Sequence, residues 1–485
     1  MKHLTSIRYV IFILTLITTI SCKKESQSEE KTLDGYWESV GYGRIAKVEN
    51  GHFSLYDITD ISCLQVLDGE VSDFGNNIKF KDDTLSIKDG INMYYFKRLD
   101  NNPTICSEDL SEEKLNDPVY NFEVLSNTFK NHYAYFEERN INWEDMYNKY
   151  KSLVNSETTD AELYNIMENM LDSFNDGHIG LSAPDEVEEA ATVLRNETSE
   201  GAETENNTQP IKQYQNHEVA NAIAEHYIKD LKSRRNKMVQ WGNLTENIGY
   251  MQLNQMMGLG DYQLADSLSG RNYWLAFFEK VEELPTEDFT KKELEGIKNI
   301  MNEVMNDLSD KDAIIIDVRF NGGGKDEVGL EVLRHFNDNE RLVFTKKARL
   351  GEDYTKPIRV ELLDSENAYK KPVYLLTSKE SASATEIMIL SSLSVDNITR
   401  VGGTSEGVFS DIFDRVLPNG WEFGLSNEVY LDTKGNNYEG IGIAPDIDFN
   451  YPTNKQEFLS SIMDNLNSNG DATIENLRNE ISNKK

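Results

Sequence analysis

The chain of 485 residues carries 49 Lys and Arg against 84 Asp and Glu, a formal charge of −35, with 38% hydrophobic residues, 23 Tyr, 20 Phe and 5 Trp. That apolar and aromatic content builds a core, so wholesale disorder is excluded, and the length fits roughly two to four domains. The acidic balance repels phosphate backbones and lacks the basic footprint of a nucleic-acid binder, while the 3 Cys show no zinc-finger spacing, so neither metal nor cofactor is expected.

Residues 1–8 carry Lys2 and Arg8, residues 9–20 form an apolar run, and Ser21-Cys22 is followed by Lys23-Lys24. Such a run is too short to span about 30 Å of hydrocarbon and suits the h-region of a signal peptide. A small residue before a cysteine at its end resembles the lipobox of bacterial lipoproteins, although Thr19 stands where Leu is usual. The resemblance implies a signal over 1–22, a lipid anchor at Cys22, and a membrane of the bacterial cell envelope reached through that lipid. A plain secretory signal is the alternative. Residues 23–32 have no apolar content and read as a tether. Cys63 and Cys106 are then left, able to pair in an oxidising envelope, and the sequence leaves that open.

Over 33–105, seven short β-type stretches separated by Gly, Asn and Asp turns predict an antiparallel accessory domain, a barrel or a sandwich. Over 115–184 the spacing turns helical, with Phe122, Leu125, Phe129 and Tyr133, then Trp143, Met146, Tyr147 and Tyr150, then Leu163, Ile166, Met170 and Leu171. This predicts a small bundle, ending in the turn Asp176-Gly177-His178 before a short strand. Residues 185–240 read as an acidic loop followed by a helix bearing His226 and Tyr227. Within 241–455, apolar strands at 312–320 and 371–377, the second followed by a helix from Ser383, predict βαβ units. Residues 456–485 are left as a C-terminal helix or tail.

Chemistry-bearing residues gather where these strands stop. Strand 313–318 runs into Arg319-Phe320-Asn321-Gly322-Gly323-Gly324, whose glycines allow a close backbone approach to a substrate. Strand 372–377 runs into Ser381-Ala382-Ser383-Ala384-Thr385-Glu386, where a hydroxyl can stand at a helix N-terminus whose backbone N–H groups face a developing oxyanion. A serine needs a base, and of the 7 His only His178 sits in a turn between helix and strand.

These segments, with Leu417-Pro418-Asn419-Gly420-Trp421 and Tyr438-Glu439-Gly440-Ile441-Gly442, resemble the S41 family of serine peptidases, the C-terminal processing and tricorn-like proteases. The resemblance implies an α/β core of S41 type over about residues 118–450, preceded here by the helical bundle and the β-module. It places the nucleophile on Ser383 rather than Ser381, and the oxyanion hole on the N–H of Ala384 with that of Gly322 or Gly323. In the processing branch the base is a lysine about 25 residues after the serine; Val408 stands there. The tricorn-like branch implies instead His178 as base and Glu439 as the carboxylate that orients it, with Gly177 where a further hydroxyl is usual. A PDZ domain is not expected, because the interval from His178 to Ile248 is short and largely acidic. The expected function is a membrane-anchored serine endopeptidase acting on peptides or unfolded protein segments, independent of metals. The alternative is an inactive S41-like surface lipoprotein that binds peptides or ligands.

Overall fold

The computed structural model describes residues 32–81, 83–107, 110–199, 213–265, 267–268, 270–284 and 286–483. The expected signal, Cys22 and nearly all of the tether lie outside the described residues.

The N-terminal module is one antiparallel sheet of β1 (Gly35–Ser39), β2 (Arg44–Glu49), β3 (His52–Ile58), β4 (Cys63–Glu70), β5 (Ile78–Lys81), β6 (Thr84–Asp89) and β7 (Asn92–Leu99). Its order is β4-β3-β2-β1-β7-β6-β5, so all seven expected strands form, but the sheet stays open, neither barrel nor sandwich. Period-2 alternation puts Trp37, Ala46, Val48, Phe53, Leu85 and Phe96 into one small core. Cys63 and Cys106 are joined in a disulfide that ties β4 to the chain leaving the module.

The helical region holds α1 (Glu112–Leu115), α2 (Pro118–His132), α3 (Trp143–Lys151) and α4 (Asp160–Asp172). Asp117 caps α2 ahead of Pro118, and Thr159 with Glu162 forms a capping box on α4. Their apolar stripes meet in a core that includes Phe122, Leu125, Phe129, Leu163 and Met170. After β8 (Gly180–Ser182), the expected loop proves to be helical: α5 (Asp185–Ser199) packs on α4. Three acidic residues in its first turn complement the helix dipole, Ala191 is buried, and Arg195 pairs with Glu168. Charge content concealed this amphipathic spacing. Residues 200–212 lie outside the described residues.

The α/β core starts with α6 (Asn216–Tyr227), β9 (Lys232–Arg234), β10 (Val239–Asn243), β11 (Ile248–Leu253), α7 (Gly270–Glu282), α8 (Thr286–Leu308), β12 (Ala313–Asp317) and α9 (Asp326–Arg334). It continues with β13 (Arg341–Leu350), β14 (Asp353–Tyr354), β15 (Ile358–Leu362), β16 (Val373–Thr377), α10 (Ala384–Ser392) and β17 (Ile398–Gly402). Then follow β18 (Arg415–Val416), β19 (Glu422–Gly424), β20 (Glu428–Asp432), β21 (Ile447–Asp448), α11 (Lys455–Leu466) and α12 (Ala472–Asn483).

The central sheet has the order β21-β17-β16-β12-β11-β10-β9, parallel from β21 to β11 with an antiparallel edge. β11, β12 and β16 are buried along their whole length. Alternation assigns Ile314, Ile316, Val373 and Leu375 to one face and Ile315, Tyr374 and Leu376 to the other. β9 and β10 thus belong to this sheet although the sequence reading began the domain at 241. The C-terminal segment is not a tail: α11 and α12 cover the second face, and Asp471 at the start of α12 pairs with the fully buried Arg319.

Candidate active site

In an open α/β sheet, sites form beyond the carboxyl ends of the strands. β12 and β16 are neighbours there, and their two loops are laced together. Ser378 Oγ donates to the Arg319 carbonyl at 2.5 Å and Ala382 N–H to the Asn321 carbonyl at 3.2 Å. Ser381 Oγ donates to the Val318 carbonyl at 2.9 Å and accepts from Ser378 N–H at 3.1 Å, so this buried hydroxyl is committed to the scaffold.

Ser383 behaves differently. It stands at the N-cap of α10 with φ 55° and ψ −128°, and its side chain makes no capping hydrogen bond. A serine in this position ordinarily caps with its hydroxyl from an extended backbone. Holding a non-glycine residue at such dihedrals costs about 1–3 kcal/mol, and the surrounding loop supplies the restraint. The result is a partly exposed hydroxyl at a strand-to-helix turn, free of scaffold duty.

The three expected oxyanion donors differ. Ala384 N–H, at the first turn of α10, has no partner among the described residues. Gly322 is exposed, and its N–H is likewise without a described partner. Gly323 N–H donates to Asn321 Oδ1 at 2.9 Å, so it is already engaged. Gly323 matters by its shape instead: at φ +111° a Cβ there would meet Ser383 Cβ at 2.7 Å and Ala384 N at 3.0 Å.

His178 is placed by the turn before β8. Asp176 Oδ1 accepts from His178 N–H at 3.0 Å and from Ser426 Oγ at 3.2 Å, while Oδ2 accepts from Tyr133 O–H at 3.0 Å. Val408, at the position where a processing-type lysine is absent, packs against the turn, 3.4 Å from where a Gly177 Cβ would stand. The ring is buried with Nδ1 unpartnered, and the Ser410 carbonyl acts on it. Burial lowers its pKa, against the opposing pull of Asp176, Asp411 and that carbonyl, so the imidazole is biased toward the neutral base. A cavity of about 650 Å³ opens at Gly177 and His178, walled across by Leu55 and Leu67 of the N-terminal module; Ser383 is not part of that wall.

Among the described residues no hydrogen bond joins His178 to Ser383 or to Glu439. Glu439 is buried, with Oε1 2.5 Å from Arg139 Nη2 and Oε2 accepting from Phe409 N–H at 2.8 Å. Burial, with Asp176 as second cause, pushes its pKa up to about 7. Arg139 also pairs with Asp176, Nε to Oδ2 3.5 Å. Glu439 therefore reaches the histidine through intermediaries, namely Arg139 and Asp176 on one side and the Phe409-Ser410 peptide on the other.

Segment 405–411 bonds to the neighbours of Ser383, to Glu439 and to the surroundings of His178. Glu406 N–H donates to the Ser381 carbonyl at 3.1 Å, and Gly407 and Val408 N–H donate to Glu386 at 2.7 and 2.6 Å. Phe409 N–H holds Glu439, and the Ser410 carbonyl meets His178. Burial raises Glu386 to about 8. Sequence reasoning missed Arg139, a lone cation in a polar turn, and did not give Asp176 its anchoring role. Only the Asp-Gly turn geometry pointed to the latter.

An open α/β sheet with an uncommitted serine at a strand-to-helix turn is an arrangement that can serve acyl transfer. Residues 247–449 match peptidase family S41 and residues 116–172 match the tricorn protease C1 domain. Among solved structures, a protein from Parabacteroides merdae assigned as a peptidase is similar over 75% of this chain and 96% of its own, at 20% identity and a TM-score of 0.54. Mature CPAF complexed with lactacystin is similar over 76% and 99%, at 10% identity and a TM-score of 0.50. At these identities the likeness concerns the fold.

Proposed function

We propose that the protein is a serine endopeptidase that cleaves peptides or unfolded segments through an acyl-enzyme. Ser383 Oγ attacks the scissile carbonyl carbon while His178 accepts the hydroxyl proton. The oxyanion takes hydrogen bonds from Ala384 and Gly322 N–H, and His178 returns the proton to the leaving amine. A water then hydrolyses the ester by the same route, regenerating Ser383. Glu439 supports His178 from both flanks through Arg139 and the Phe409 N–H. Catalytic hydrogen bonds often tighten only once substrate is bound, which accommodates a Ser383 and His178 that are unbonded here. The observation that carries this reading is the contrast between two serines two positions apart, Ser381 committed to the scaffold and Ser383 strained and uncommitted.

The test is hydrolysis of an unfolded protein substrate by wild type, Ser383→Ala, Ser381→Ala and His178→Ala, with folding checked by circular dichroism. Loss of a general base typically costs about 10²–10⁴ in rate. Near-native turnover by folded Ser383→Ala would end the proposal. A second reading, a binding protein using the same cleft, draws on the engagement of Glu439 by Arg139, and predicts no turnover by wild type.

We further propose that Cys22 carries a lipid and holds the protein at the envelope. The Cys63–Cys106 disulfide supports such an oxidising compartment. Metabolic labelling with an alkynyl fatty acid, lost in Cys22→Ala, is the check.

A further inference from the structure

A cleft of about 1090 Å³ lies away from His178, between the module and the core. One wall is residues 355–363, nine in unbroken succession. Successive side chains of a strand point to opposite faces, so a cavity touching every residue of such a run follows the backbone edge rather than one face. β15 pairs with β13 alone, which leaves that edge open. The opposite wall is the outer face of β6 and β7, where Tyr95 is 48% exposed; Leu363, 53% exposed, stands at the end of β15.

Charge sets this cleft apart from the rest of the molecule. The chain as a whole has 49 basic against 84 acidic residues, yet the wall has five basic residues against three acidic ones, Glu327, Glu331 and Glu361. Lys88, Lys97, Lys356 and Arg359 are exposed and form no ion pair with a described carboxylate. Of the acids, Glu327 is spent on the Ile91 N–H at 2.7 Å. In a field that elsewhere repels anions, unpaired cations along an open strand edge select an acidic, extended chain.

We propose that this cleft binds an extended acidic segment of the substrate polypeptide, added as a strand to the free edge of β15, with its carboxylates on Lys88, Lys97, Lys356 and Arg359. The assignment to substrate rests on the peptidase reading. It is favoured by Tyr42 and Asn92, which border the cleft and donate to Glu428 at 2.6 Å and to Asp411 at 3.1 Å, next to the Ser410 that meets His178.

Binding is measured on the Ser383→Ala protein, so it is read independently of turnover. The probe is a short fluorescein-labelled peptide of alternating Glu and Val, followed by anisotropy, with a Lys and Val peptide as control. The acidic peptide binds and the basic one does not. The variant combining Lys88→Glu, Lys97→Glu and Arg359→Glu, all exposed, binds it about tenfold or more weakly. A probe N-methylated at alternate residues also loses affinity, because it cannot pair with a strand edge. Fusing the acidic segment to a cleavable substrate lowers KM without changing kcat in wild type, and has no effect in the triple variant. Equal binding of acidic and basic peptides, full affinity in the triple variant or full affinity of the N-methylated probe would each overturn the proposal. An unchanged KM on fusion would overturn the assignment to substrate. An inactive wild type that still binds the acidic probe would end the peptidase reading, and with it that assignment, while leaving the cleft as the binding site.

Discussion

Arg139 holds Glu439 in an ion pair, Nη2 2.5 Å from Oε1, with the two side chains 8% and 0% exposed. The same guanidinium pairs with Asp176, so one cation offsets two buried carboxylates on the strand-end side of His178. Removing one partner of a buried pair strands the other, at about 3–5 kcal/mol. Arg139→Met is therefore expected to lower unfolding free energy by about that much at mildly alkaline pH. The loss is smaller in mild acid, where a protonated Glu439 no longer needs the cation. Urea denaturation at the two pH values checks it; a pH-independent loss would show that Arg139 matters for packing alone.

The pH profile follows from two opposite shifts. Burial lowers the pKa of His178, which biases the imidazole toward its neutral form. Burial raises Glu439 to about 7, well above its unfolded 4.5. The stability its protonated form contributes is thus present below about 4.5 and lost as pH rises through about 7. If the ionised carboxylate is the working form, activity rises through about pH 7 on the Glu439 limb. Glu439→Gln should lower kcat far more than it raises KM, and should erase the limb. A limb that persists in Glu439→Gln belongs to another group.

Much of this was legible from the chain. Seven alternating stretches gave seven strands, and apolar runs ahead of Gly-rich and Ser-rich loops placed β12, β16 and the residues at their ends. What stayed hidden was pairing between distant segments. Arg139 and Glu439 lie 300 positions apart, and nothing local marks them as partners. The α5 helix was read as a loop because its acidic surface outweighed a stripe in which, among the described residues, only the small Ala191 is deeply buried. The open sheet of the module was read as a barrel or a sandwich because alternation reports which face is buried and says nothing of whether β4 and β5 meet or a second sheet packs on it.

Gly323 is held to glycine by the Ser383 turn packed against it. Gly323→Ala puts a Cβ 2.7 Å from Ser383 Cβ at a φ that L side chains rarely adopt, so the Ser383 turn must shift. Misplacing a reacting group by about 1 Å can cost about 10² in rate, and kcat should fall on that scale. Gly322→Ala has nothing within 4 Å of its Cβ, keeps its N–H, and should stay within a few-fold of wild type. Steady-state kinetics of the two variants side by side decide it; equal effects would separate loop shape from catalysis.

The Cys63–Cys106 disulfide spans 43 positions and closes the loop containing β5, β6 and β7. Chain-entropy arguments assign a loop of that size about 4 kcal/mol. The variant Cys63→Ser with Cys106→Ser should unfold at lower urea while retaining activity at ambient temperature, read by the denaturation midpoint and by turnover. An unchanged midpoint would mean the module is held by its contacts with the core alone.

The most direct measurement is covalent labelling of the folded protein with a fluorophosphonate, mapped by peptide mass spectrometry. The account predicts a single modified residue, Ser383, with labelling kept in Ser381→Ala, lost in Ser383→Ala and slowed about 10²–10⁴-fold in His178→Ala. Modification of Ser381, or no labelling of a folded wild-type protein, would contradict it.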